Sequence, residues 1–224
     1  LPRLAYEERR IGELPITLYE TGTNGLVYQQ LSCSIGGLAA EELAILPHVT
    51  GMAAELGIGD DDYLATQHRQ SASVGSISLF TSMRGCVADE QQAQASLVLS
   101  SKALLRKSRE QIELMRDTLL QLRSDELPRL RDLVSQQRAR REQSITGQGH
   151  SLAMLAACAG MSPVARLHQD LSGMEGIAGL RRLDTELEDG AALEAFAQRL
   201  ASLYSRLRDA DWEALIVAEP DRAL

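Results

Sequence analysis

Apolar positions along the chain fall into two periods, and the change between them marks the elements. Residues 16–20 and 26–33 alternate and read as two strands. Leu26 and Tyr28 share one side; Val27, Gln29 and Leu31 share the other. Between the strands lies Thr23-Asn24-Gly25, a hairpin-type signal, because Asn24 and Gly25 both tolerate positive φ. Apolar residues then recur at 43, 46, 49, 53 and 56, a helical stripe ended by Gly57 and Gly59. Asp60, Asp61 and Asp62 follow. A calcium loop needs carboxylates at alternate positions, so three in a row fit a helix N-terminus better.

Period two returns from Val74 to Met83, with Ile77, Leu79 and Met83 opposed to Ser76, Ser78 and Ser82. It recurs from Gln94 to Leu99, and a polar connection predicts an antiparallel neighbour pair. From Ser108 the chain is helical for about a hundred residues. Ser108 and Gln111 have capping-box spacing, and Ile112, Met115, Leu119 and Leu122 form a stripe. A second helix starts near Asp125 and is interrupted at Gly147 and Gly149. Ser162-Pro163 is a cap followed by proline. Leu193, Phe196, Leu200, Leu203 and Leu207 form the seam of the last long helix. "ALIVA" at 214–218 reads as a strand buried on both faces. Strands and helices are segregated, so the pattern predicts an α+β fold, one antiparallel sheet with helices packed against it. No linker or short repeat divides it.

Composition narrows the function. Of 224 residues, 44% are hydrophobic, enough for a core. The net charge of −8 argues against a nucleic-acid or anionic-membrane surface. The basic run Arg138–Arg141, beside Glu142, reads as a solvated helix face. Residues 143–165 carry no charge but are too polar to span a bilayer, and read as a buried helix. Cys33, Cys86 and Cys158 form no CxxC and read as reduced thiols in a core, which fits the cytoplasm or an organelle matrix. Leu1 and the opening "LPRL" suggest a piece of a longer chain, although a processed protein looks the same.

Chemistry-bearing motifs are lacking. His48, His68, His150 and His168 have no His or Cys partner at metal spacing. His48-Val49-Thr50-Gly51-Met52 has the outline of H-x-x-E-H with its last two functional positions gone. No G-x-S-x-G is present, and Gly57-Ile58-Gly59 precedes three aspartates that repel a phosphate. Neither catalytic nor metal-ligating residues are assigned. The structural turn Asn24, Gly25 is the one position singled out.

"LPITLYETGTNGLVYQQL", "LPHVTGMAAELGIGDDDY", "GSISLFTSMRG" and "GQGHSLA", in that order, resemble the pitrilysin/insulinase zinc metallopeptidases, in particular the presequence-protease branch. In that family four related α+β domains form two halves that close around a peptide. The resemblance implies a metallopeptidase or processing-peptidase-like domain, the catalytically silent third one. Residues 1–13 would end the linker between halves, and 14–224 would form a single domain. Gly51 stands where the general base is expected and Met52 where the second His is expected. Around Pro128-Arg129-Leu130-Arg131 no carboxylate is placed as the distal ligand. The resemblance implies zinc in the parent's catalytic domain and none here. It implies other domains of the same chain as partners, and peptides as the full enzyme's substrates. A scaffold subunit of a larger complex and an unrecognised α+β enzyme stay open as alternatives.

Overall fold

The structure, a computed structural model, describes residues 6–89 and 91–220. The "LPRL" opening lies outside the described residues. Six strands form one sheet: β1 (Tyr6–Ile11), β2 (Leu14–Glu20), β3 (Leu26–Ser34), β4 (Ser76–Gly85), β5 (Ala93–Leu104) and β6 (Trp212–Ala218). Their order is β1-β2-β6-β3-β5-β4. Eight helices complete the fold: α1 (Ala40–Met52), α2 (Tyr63–Ser73), α3 (Ser108–Leu120), α4 (Leu127–Gly147), α5 (Gly149–Cys158), α6 (Pro163–Ser172), α7 (Met174–Glu186) and α8 (Gly190–Arg208).

The α+β class is as the sequence predicts, but the sheet is mixed, not purely antiparallel. β6 lies parallel to β2, with Ile16 opposite Ala214, and antiparallel to β3, with Leu31 opposite Ala214. β2 and β3 therefore form no hairpin, because the last strand of the chain separates them. The turn is nonetheless tight. Asn24 has φ 57° and Gly25 φ 77°. The Gly25 amide donates to Glu219 Oε1 at 3.0 Å, just past β6, and the Gly25 carbonyl accepts from Leu105 N at 2.9 Å. The turn thus anchors three segments. Residues 6–11, placed by the resemblance within a linker, form the edge strand β1, paired along its length with β2.

Register decides which face is covered. Leu31, Cys33, Leu79, Leu97 and Leu99 point to the helices and join Leu46, Val49, Leu130 and Leu200 in one core. Their neighbours point away. Ser78, Ser100 and Gln30 lie in one row of the open face, and Lys102, Tyr28, Val217, Tyr19 and Tyr6 lie in the next. Tyr28 and Phe80 are exposed there. β6 is covered on one face only: Ala214 and Ala218 are buried, whereas Leu215 and Val217 are half-buried on the open side.

Two helical expectations are corrected. A 3-10 turn, Leu105–Lys107, runs straight into α3, so Ser108 is already helical and the capping box does not form. The buried face of α3 carries Gln111, Leu114, Met115 and Thr118, while Ile112 is exposed. Polar groups on that face are tolerated because they find partners: Thr118 Oγ1 donates to Leu114 O at 2.8 Å, and Asp117 pairs with Arg69 and Arg116. The uncharged stretch at 143–165 is helical but not buried. On α5 only Leu152 is buried, and Met154 is 63% exposed.

The segment "ELGIGDDDY" is a fold device. Glu126 accepts from Gly57 N at 2.7 Å and Tyr63 N at 3.1 Å, clamping the loop between α1 and α2 to the start of α4. A Cβ at Gly57 would lie 2.5 Å from Asp61 O, so only glycine fits. Asp62 caps α2 by accepting from Ala65 N at 2.8 Å, the role expected of the aspartate run.

Gly25→Val tests the turn. A Cβ there meets no atom within 4 Å, so the cost comes from positive φ alone. Destabilisation of about 1–3 kcal/mol is expected in denaturant melts, and an unchanged midpoint would rule out this backbone.

Candidate functional site

His48 lies in the third turn of α1, between the buried Leu46 and Val49. Its ring meets Phe196 of α8 edge-on, with centroids 5.7 Å apart. Nδ1 is 3.3 Å from Gln137 Oε1 of α4. Burial holds the imidazole below its ordinary pKa of 6.5; the Gln137 contact opposes that shift and nearby Arg199 adds to it. The ring is therefore neutral near pH 7. An open cavity of about 760 Å³ borders it, between α1, α4, α6, α7 and α8. His48, Gly51 and Gln137 line it together with Arg140, Arg182 and Arg199. One wall is fixed by Asp184 of α7, a buried carboxylate paired with Arg131 and Arg138 of α4. Breaking such a buried pair typically costs about 3–5 kcal/mol.

The remaining motif positions are inert. A Cβ on Gly51 would fall 2.6 Å from Gln137 Nε2, so the Gln137 amide fills the space a side chain at 51 would need. Met52 is wholly buried, its thioether in the core. Gln137 escaped the sequence reading because it is 89 residues from His48 and a lone glutamine in a polar helix carries no motif. Arg129 and Arg131, near where a distal ligand was sought, serve other contacts: Arg129 stacks over Tyr63 at 4.4 Å and pairs with Glu55, and Arg131 pairs with Asp184. His68 and His150 are exposed, and His168 is half-buried on α6. Among the described residues no three His, Cys, Asp or Glu groups converge to hold a metal. A zinc site needs anionic or imidazole ligands in a tetrahedral set. One neutral His facing an amide, a glycine and a buried thioether does not fit that metal.

The cysteines divide. Cys33 sits in the core, and burial pushes its thiol up to about 11; Cys86 and Cys158 are only half-buried. The expectation of three core thiols therefore holds for Cys33 alone.

The family of domains associated with peptidases of class M16, subclass C, matches residues 2–183. The chain belongs to that family. Among curated relatives, the mitochondrial presequence protease of Danio rerio is 26% identical over 183 residues, covering 82% of this chain and 18% of that protein. Presequence protease 1, chloroplastic/mitochondrial, of Arabidopsis thaliana is 21% identical over 179 residues, 80% of this chain and 16% of that protein. The chain thus spans less than a fifth of either relative. A conserved protein from Enterococcus faecalis V583 superposes with TM-score 0.68 at 11% identity, over 97% of this chain and 49% of that one. The periplasmic protease PqqL from Escherichia coli superposes with TM-score 0.53 at 11% identity, over 97% and 22% respectively. These two likenesses establish a shared fold. Membership of a peptidase-associated family is in keeping with the inert cluster at His48.

Two outcomes follow for His48 and its surroundings. Its folded pKa is depressed, so the unfolded chain binds the proton more readily and stability rises with pH across the window below 6.5. The His48 contribution is complete above 6.5 and is lost as pH falls below it. His48→Gln should flatten that part of a melting-temperature-versus-pH curve; identical slopes in both proteins would contradict the assignment. Separately, native mass spectrometry after dialysis against zinc should find no stoichiometric metal on the chain.

Proposed function

We propose that the chain is a catalytically silent domain of a zinc-dependent metalloendopeptidase, where it forms part of the wall of a closed chamber and packs against the catalytic half. The observation that carries this reading is the family match over residues 2–183 combined with a degenerate motif cluster. The fold belongs with peptidase-associated domains, yet His48 faces Gln137, Gly51 leaves no room for a base, and Met52 is buried. A domain so built contributes enclosure. Enclosure excludes water, aligns an extended peptide and limits substrate size, none of which needs a nucleophile in the wall.

The open sheet face supports the same role. Its serines, Gln30, Tyr28 and Phe80 offer hydrogen bonds and apolar contact without fixed charge chemistry, which suits peptides of varied sequence. Zinc belongs to another domain of the parent in this reading. The parent works in an organelle matrix or another reducing compartment: the curated relatives' names are mitochondrial or chloroplastic, and no described helix is long and apolar enough to cross a membrane.

The test compares this chain, a catalytic half carrying H-x-x-E-H, and the complete parent on an unfolded peptide, with and without a zinc chelator. Chelator-sensitive cleavage is expected only where the catalytic half is present, and strongest in the complete parent. Chelator-insensitive cleavage by this chain alone would overturn the silent-domain reading. Full activity of the catalytic half alone would remove the enclosure role.

A further inference from the structure

The uncharged helix α5 is out of place on a surface. About a quarter of the chain's residues are charged, yet 143–165 contains no Asp, Glu, Lys or Arg. Solvent-facing helices normally present charge on their outer side. Here the outer side of α5 presents Ala153, Met154, Ala156 and Ala157, and the turn after it presents Met161, 69% exposed. Leu152 alone is buried beneath.

We propose that α5 and the turn through Met161 are the docking face for the remainder of the same, longer polypeptide. This rests on the reading of the chain as one domain of a peptidase. Three observations select that occupant. First, the face lacks the charged rim typical of transient interfaces; interfaces that never separate are more apolar and resemble a core cut in two. Second, a helix that binds a membrane surface carries Lys or Arg on its polar side, and α5 has none. Third, the matched relatives continue far beyond this domain: it spans 18% of the Danio rerio protein and 16% of the Arabidopsis thaliana protein. Those chains supply ample surface to cover such a face. Small alanines between two methionines let a partner approach the helix closely, while the flexible methionines fill irregular gaps.

The experiment is oxidative footprinting of the full-length gene product with hydrogen peroxide, read by peptide mass spectrometry. Met52, wholly buried in the core, is the internal reference. Oxidation of Met154 and Met161 should be lost to the level of Met52, at all protein concentrations. Oxidation of both at the rate of free methionine would overturn the proposal. Protection that appears only at high concentration would overturn it too, because the occupant would then be a second copy. A variant gives an independent readout. Met154→Glu should lower the melting temperature of the full-length protein, and an unchanged value would count against docking. The peptidase reading is scored apart from this one. A full-length protein with protected methionines but no chelator-sensitive cleavage keeps the docking face and loses the peptidase; one with cleavage and reactive methionines does the reverse.

Discussion

The fold depends on one pairing that the chain can make only when it is nearly complete. β6, residues 212–218, inserts between β2 and β3, parallel to one and antiparallel to the other. Without it the sheet would fall into two pieces, β1-β2 and β3-β5-β4. The contacts join residues nearly two hundred positions apart, Ile16 with Ala214. Closing so long a loop costs entropy that grows only slowly with length, but it must be met before the strand's hydrogen bonds form. The Asn24-Gly25 turn lowers that burden locally. Its amide holds Glu219 at the end of β6, so the turn that separates β2 from β3 also fixes the strand that comes between them.

The helical layer follows from that sheet. Leu97 and Leu99 of β5, with Cys33 of β3, offer an apolar strip on which α1, α4 and α8 converge. Where these helices diverge toward α6 and α7, the His48 cavity opens. Its chemistry is set by what the convergence removes. Gly51 yields its side-chain space to Gln137, Met52 is drawn into the core, and burial keeps His48 neutral. The site is a packing junction, and its polarity comes from arginines at the rim.

The two uncovered surfaces differ in kind. The open sheet face mixes serine, glutamine and aromatic side chains, whereas α5 is apolar and uncharged. A wet, polar wall and a dry contact face are the surfaces expected of a domain that borders a chamber on one side and its own polypeptide on another.

Much of this was legible in the chain. Alternation at 26–33 and 76–83, the seam from Phe196 to Leu207, the Asp62 cap and the loss of H-x-x-E-H at Gly51 and Met52 are local patterns, and local sterics and periodicity enforce them. Three features were decided by tertiary structure. The place of β6 depends on pairing partners far away in sequence, so a local reading of Asn24-Gly25 produced a hairpin that does not exist. Gln137 meets His48 only because α4 packs across α1. The exposure of α5 could not be read from its composition, because an apolar stretch is equally suited to a core and to a contact with chain that lies elsewhere. Periodicity reports that a face must be buried; only the packed structure reports by what.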